Sequence, residues 1–166
     1  MNEKEALEES AVLEFCNAYK EAEHGEISFI RSLQPPYPDT LCIKNGTELH
    51  IEVGHIYGTI GDTKLLLGRE GNSAPSTQEL SLSTMLPLNK RFIYPLNSLL
   101  AKKSKKNYKG NSIWLIIRSG NLLWNRDEFE KHINEILLPN IHPFDQIWLL
   151  CGPRSDFGIM RLDNEN

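Results

Sequence analysis

The chain has few cysteines for its length. Cys16, Cys42 and Cys151 are the three cysteines among 166 residues, and they are far apart in the sequence. Their odd number and wide spacing argue against a disulfide framework and against the paired-cysteine pattern of a zinc site. Because their neighbours are apolar, they are predicted to be small core residues in a protein of a reducing compartment.

The sequence also lacks long hydrophobic runs. No stretch approaches the ~18 apolar residues of a membrane span. The N-terminal "MNEKEALEES" is acidic, unlike the basic-then-apolar layout of a signal peptide. A length of 166 residues and a mass of 19.0 kDa suit one domain, residues 1–166. We therefore expect a single cytoplasmic domain that does not contact a membrane.

Acidic residues outnumber basic residues, 22 to 18. The net charge of -4 and the sequence pI of about 5.7 argue against a broadly basic nucleic-acid surface. A P-loop, a Gly-rich dinucleotide turn and a nucleophile elbow are also missing, so we expect no organic cofactor. The exception is "KKSKKNYK" at residues 102–109, with five lysines, which is typical of a solvated helix end.

Helical and extended patterns alternate along the chain. Apolar residues at three- and four-residue steps predict three helices, at residues 3–24, 88–106 and 126–138. The last of these has four apolar residues on one side: Phe129, Ile133, Ile136 and Leu137.

The strand signals complete the predicted fold. Asn45-Gly46 is a strong hairpin turn between strands at 41–44 and 48–54. Continuous apolar runs predict buried strands at 113–118 and 146–151, with an edge strand at 158–162. The segment 58–87 predicts a flexible loop. The order helix, hairpin, helix, strand, helix, strand indicates an α/β fold, a mixed sheet flanked by helices.

Glu52 lies on a predicted strand whose two faces differ. Strand alternation puts Leu49, Ile51 and Val53 on the apolar face. The other face carries Glu48, His50, Glu52 and Gly54. His50 is a candidate base or ligand, although a lone strand histidine is usually incidental. Glu52 taken alone is compatible with an ordinary exposed glutamate near a turn.

Glu8 changes this assessment. At the angular step of an α-helix it falls in the apolar row that contains Val12, Phe15 and Tyr19. An ionised carboxylate there is unfavourable unless it is paired or binds a metal. Alternatively, Glu8 emerges at the edge of the core or complements the helix dipole. Both interpretations stay open.

A divalent cation would explain acidic side chains at one sheet edge. Glu8, Asp39 and Glu52 would repel one another there and shift each other's pKa. Mg²⁺ takes oxygen ligands and characteristically binds one or two carboxylates, water and substrate phosphates. The pattern therefore predicts that these three residues form a site for Mg²⁺ or Mn²⁺.

These residues carry a resemblance to a known family. A helix with an inward glutamate, Pro38-Asp39, a strand, a turn and "IEVG" on the next strand resemble the PD-(D/E)xK nuclease-like superfamily, over most of residues 3–151. The resemblance implies a three-layer αβββαβ core, as in restriction endonucleases, and metal-dependent hydrolysis of DNA or RNA. It matches Asp39 and Glu52 to the motif carboxylates and Glu8 to the helix glutamate.

The chain departs from the family at the motif lysine, whose position is Gly54. Loss of a positioned acid–base group commonly lowers a rate ~10²- to 10⁴-fold. Lys103 continues the predicted inward stripe of the 88–106 helix, and some members of the family carry the lysine on this helix. We predict Lys103 as the displaced catalytic lysine; the alternative is that it reaches solvent along the helix.

The segment after this helix predicts contacts with nucleic acid. Lys102 and Lys106 point outward on the predicted helix, and Tyr108 could stack on a base. The simpler alternatives are solvated lysines and a tyrosine that caps the helix end against the core.

Three hypotheses for the function follow. The first is a nuclease that uses Asp39, Glu52 and Lys103 for catalysis, with nucleic acid as its partner. The second is an inactive relative with the same fold that binds nucleic acid or protein, or has a regulatory role. The third is an unrelated α/β interaction domain, which requires Glu8 and Glu52 to lie far apart. The oligomeric state stays open, with a homodimer as one option.

Overall fold

A computed structural model describes residues 2–57, 88–122 and 124–163, and these form an α/β fold with three helices and a six-stranded mixed sheet. The helices are α1 (Glu3–Glu21), α2 (Leu88–Ser104) and α3 (Arg126–Lys131). The strands are β1 (Ile27–Ser32), β2 (Thr40–Lys44), β3 (Thr47–Ile56), β4 (Ile113–Ser119), β5 (Gln146–Leu150) and β6 (Ile159–Arg161). Short 3₁₀ turns lie at Ile133–Glu135 and Ser155–Phe157.

The six strands lie side by side in chain order. β1, β2 and β3 are antiparallel, β4 and β5 run parallel to β3, and β6 returns antiparallel to β5. Asn45 and Gly46 form the β2–β3 turn with positive φ angles of 53° and 77°, as the sequence predicts. Parallel pairing places β3, β4 and β5 in the middle of the sheet, where helices must cover both faces.

Two apolar clusters fill the three-layer core. On one face, α1 packs Val12, Phe15 and Tyr19 against the β3 residues Leu49, Ile51 and Val53. On the other face, α2 packs Phe92, Leu96 and Leu100 against alternate residues of the central strands. The three cysteines are free and buried, as predicted. None of the helices in the described part of the chain is long and apolar enough to cross a membrane.

Two of the predicted elements need correction. The order read from apolar patterns omits β1, although the αβββαβ core implied by the resemblance contains it. In β1 only Ile27 is buried, and the strand is held by its pairing with β2. Strand 158–162 is confirmed as β6, whereas the predicted flexible loop at 58–87 lies outside the described residues.

The predicted helix at 126–138 is the second correction. α3 ends at Lys131, and the chain is already extended at Ile136. The Asn97 side chain of α2 accepts from the Leu137 backbone N–H at 2.8 Å and so holds this segment away from a helix. Phe129 is buried as predicted, but Ile133 and Leu137 are exposed.

Candidate active site

Asp39 and Glu52 meet at the start of β2. The antiparallel register pairs Thr40 with Ile51, which brings Asp39 beside Glu52 and Val53 in the middle of β3. Asp39 Oδ2 accepts from the Val53 backbone N–H at 2.9 Å, and Glu52 Oε2 accepts from the Asp39 backbone N–H at 3.2 Å. Each carboxylate is therefore held by a backbone N–H of the segment that carries the other one. Glu52 is only 4% exposed.

Lys103 reaches this pair from α2. Its Nζ lies 2.6 Å from Glu52 Oε1, and its side chain is 12% exposed. This position agrees with the predicted inward stripe, since Leu96 and Leu100 on the same helix are fully buried. Lys103 thus points into the protein rather than to solvent. Its chemical role stays a prediction.

Packing explains why a glycine fits at position 54. A Cβ added at Gly54 would lie 2.6 Å from Leu99 Cδ2 and 3.3 Å from Leu99 Cγ. Leu99 is one helical turn before Lys103, so the same face of α2 fills the space beside Gly54 and delivers the amine to Glu52. A lysine at position 54 would have to displace this helix contact.

Glu8 lies on the buried face of α1, as predicted, and is 7% exposed. Its Oε1 is 3.5 Å from Nζ of Lys4, one turn earlier on the helix. Burial raises the pKa of Glu8, and Lys4 opposes that rise. The charge of Glu8 also raises the pKa of Asp39, so all three carboxylates influence one another.

Asp39 has the most perturbed carboxyl group of the site. Burial, then the negative charge of Glu52, raise its pKa to about 7, and Glu8 adds to the rise. The Val53 N–H and Lys103 oppose the shift without cancelling it. An acid with a pKa near neutrality and charged neighbours is characteristic of functional sites, although structural networks also produce it.

The carboxylates form one wall of a cleft of about 260 Å³. Besides Asp39, Glu52 and Lys103, the lining residues are Lys4, Pro35, Pro36, Tyr37, Lys106, Asn107 and Tyr108. No pattern in the sequence indicates Lys4, Tyr37 or Asn107, because only tertiary packing brings them to the carboxylates. The proline-rich segment beside Asp39 was the one available signal for Tyr37.

The structure clarifies the residues predicted to contact nucleic acid. Lys102 and Lys106 are exposed, and Lys106 lies in the cleft. The Tyr108 ring packs on Phe144 at 5.7 Å between ring centroids, which agrees with the capping alternative more than with base stacking. Its buried hydroxyl approaches Glu52 without completing a hydrogen bond of normal geometry to any described group. Burial and the charges of Glu52 and Asp39 raise its pKa, so the hydroxyl keeps its proton.

Arg118 on β4 holds the first half of α1, a role that no pattern in the sequence indicates. Its guanidinium is buried and donates to the Leu7 carbonyl at 3.3 Å and to Ser10 Oγ at 3.1 Å. Its Nε also donates to His55 Nε2 at 3.1 Å. Because Leu7 and Ser10 flank Glu8, these bonds fix where Glu8 lies relative to the sheet.

Within residues 2–57, 88–122 and 124–163, no group of three or more His, Cys, Asp or Glu side chains is placed to hold a metal ion. The predicted three-carboxylate metal site is therefore not assembled as such. Asp39 and Glu52 remain as an adjacent pair, with Glu8 as a charged neighbour. His50 does not join them; it is buried and stacks against Tyr37.

Comparison with known proteins yields no relative. No family model matches the chain, and neither the curated proteins nor the solved structures contain a significant match.

Proposed function

We propose that the chain is a metal-dependent nuclease-like domain that hydrolyses phosphodiester bonds in DNA or RNA, related to the PD-(D/E)xK superfamily. One observation carries the proposal. Lys103, which is 51 residues from Glu52 in the sequence, brings its amine to 2.6 Å from the Glu52 carboxylate, beside Asp39 and in an open cleft. A carboxylate pair with a cation from a different element is the constellation that the displaced-lysine hypothesis requires.

The pair fits a hard divalent cation. Burial, and then repulsion by the negative charge of Glu52, raise the pKa of Asp39 to about 7, and a bound cation would relieve this repulsion. Mg²⁺ characteristically uses one or two protein carboxylates and keeps several waters, so a third carboxylate is not required. Asp39 and Glu52 would hold the ion, which when bound supplies neutralising charge and an acidified water. Glu8 would assist through water.

The protein's own groups have distinct tasks in this proposal. Lys103 places a positive charge beside Glu52, where it can orient a water and offset the negative charge that develops on phosphate. The buried Tyr108 hydroxyl keeps its proton, so it can donate a hydrogen bond to a phosphate oxygen in the cleft. Arg118 keeps α1 and Glu8 in place through the Leu7 and Ser10 contacts.

A second candidate is a binding or regulatory module that has the same fold but no catalysis. The direct ion pair between Glu52 and Lys103 favours the binding module, because each group already neutralises the charge of the other. The net charge of -4 agrees with weak rather than extensive contact with nucleic acid.

Cleavage assays separate the two candidates. The purified chain is incubated with single- and double-stranded DNA and RNA, with Mg²⁺ or Mn²⁺. We expect Asp39→Asn and Glu52→Gln to abolish cleavage, and Lys103→Met to lower it ~10²- to 10⁴-fold. Lys105→Met is the matched control, since Lys105 is exposed, lies two residues after Lys103 and does not line the cleft, and the activity of this variant should change little.

The assay includes a control for folding. Lys103→Met leaves Glu52 buried without its cation and can lower stability. The double variant Glu52→Gln/Lys103→Met restores charge balance, so it should recover melting temperature but not activity. Absence of cleavage with every substrate and both metals would overturn the nuclease proposal in favour of the binding module.

A further inference from the structure

One wall of the cleft has no task in the proposed chemistry. Tyr37, two residues before Asp39, lines the cleft and is 45% exposed. Its ring stacks on the buried His50 ring, with 6.1 Å between the centroids and 20° between the planes. One side of the tyrosine is thus supported by the protein, while a large part of it remains open to a ligand.

The Tyr37 ring is held in position by its surroundings. Its backbone N–H donates to the Gln34 carbonyl at 3.1 Å, and the carbonyl of Pro36 accepts from the Lys109 N–H at 3.0 Å. The backbone at Gly110 packs so closely on His50 that an added Cβ at Gly110 would lie 3.0 Å from His50 Nδ1. A platform that is already ordered loses little conformational entropy when a ligand stacks on it.

A few lysines line the same cleft. Lys4 and Lys106 line it together with Lys103 and are largely solvent-exposed. Because Lys103 is paired with Glu52, the exposed Lys4 and Lys106 match two phosphates rather than the closely spaced charges along a duplex. The cleft volume of about 260 Å³ is on the scale of one nucleotide.

We infer that the cleft binds a single-stranded nucleic acid, with one unpaired base stacked on Tyr37 and the adjoining phosphates at Lys4 and Lys106. The inference rests on the proposed function, whose carboxylates lie in the same cleft. A base inside a duplex is covered on both faces by its neighbours, so it would have to leave the stack before it reached Tyr37. An unpaired base stacks without this penalty, and an aromatic platform accepts any base.

The test measures binding without chemistry. Fluorescence anisotropy in EDTA compares a labelled single-stranded DNA or RNA 12-mer with the same sequence as a duplex. We expect the single strand to bind at least about tenfold more tightly, and Tyr37→Ala to weaken it by about 5- to 150-fold, as expected for one lost stacking contact. Tyr37→Phe should bind like the wild type. Tyr94→Ala, at an exposed tyrosine outside the cleft, should have no effect.

Salt provides an independent measurement. With phosphate contacts at Lys4 and Lys106 and a slope of ~0.7 per phosphate for single strands, log K should fall against log salt with a slope of about -1.4. Equal or tighter binding of the duplex, no binding of the single strand, or no effect of Tyr37→Ala would each overturn the inference. The result is distinguishable from failure of the proposed function, because binding in EDTA needs neither metal nor cleavage.

Discussion

The raised pKa of Asp39 makes the stability of the protein depend on pH in a calculable way. The pKa of this carboxyl rises from 3.8 to about 7 in the folded protein, mainly through burial and then through Glu52. The folded state therefore binds the proton more tightly than the unfolded state. The resulting stabilisation is complete below pH 3.8 and is lost as the pH rises through 7. At ~1.36 kcal/mol per pH unit, the loss is at most ~4 kcal/mol, and partial solvent access reduces it.

His55 produces the opposite dependence. Burial, and then the charges of Arg118 and Lys103, lower its pKa from 6.5 to about 3. Stabilisation by its neutral imidazole is present above pH 6.5 and is lost as the pH falls towards 3. The two dependences partly cancel in the wild-type protein, so the pH profile of its stability does not isolate the contribution of Asp39. The difference in stability between the wild type and a variant of Asp39 does isolate it.

Asp39→Asn is the perturbation that isolates this effect. The amide oxygen can still accept from the Val53 N–H, while the negative charge beside Glu52 is removed. We expect Asp39→Asn to have nearly the wild-type free energy of unfolding at pH 4 and to exceed it by ~1–3 kcal/mol at pH 8. Urea unfolding across this range measures the difference. Asp156→Asn, at an exposed aspartate, is the matched control and should show no such trend.

Mg²⁺ extends the same experiment to ion binding. At pH 8 and ~100 times the dissociation constant, a cation held by the pair would raise the wild-type free energy of unfolding by ~2.7 kcal/mol. Asp39→Asn should show little of this increase. If the free energies of unfolding of the wild type and the variant change in parallel from pH 4 to 8, burial and Glu52 do not raise the pKa of Asp39, and the electrostatic reasoning fails.

Three further substitutions test other contacts. Tyr108→Phe removes a buried hydroxyl without a hydrogen-bond partner, so thermal unfolding should show equal stability or a gain of ~1 kcal/mol, while turnover should fall if the hydroxyl donates to substrate. Arg118→Met leaves buried acceptors unpaired, so urea unfolding should show a loss of ~2–4 kcal/mol in the free energy of unfolding. Arg118→Lys should not fully recover this loss, because lysine lacks the guanidinium fork. Gly54→Ala should lower the free energy of unfolding by ~1–3 kcal/mol, because its Cβ contacts Leu99. The double variant Gly54→Ala/Leu99→Ala should recover part of this stability, because an alanine at position 99 makes room for the added Cβ.

Local patterns predicted the elements whose signals are strong by themselves. The Asn45-Gly46 turn, the apolar β4 run and the inward rows of Glu8 and Lys103 are all found in the structure. Each depends on backbone geometry or on a periodicity that neighbouring residues in the chain already define. Such features need no knowledge of what packs against them.

Features that depend on distant partners were not predictable in this way. The alternation of β1 is weak because the strand lies at the sheet edge and is partly exposed, so its pairing with β2 defines it. The polar face of β3 suggested contact with water, but α2 covers it and buries Glu52 and His50. Tyr37 reaches the cleft through a turn whose shape is fixed by contacts with Lys109 and His50.

The absence of a side chain at Gly54 and the inward position of Lys103 have a common cause. When α2 packs closely on β3, Leu99 fills the space where a side chain from Gly54 would lie. The same close approach carries Lys103, four residues later, over the Glu52 carboxylate. A side chain at position 54 therefore requires Leu99 to shift, and that shift disturbs the helix contact that carries Lys103 to Glu52. We expect a lysine introduced at position 54 to be tolerated better together with Leu99→Ala than alone, because alanine makes room for it.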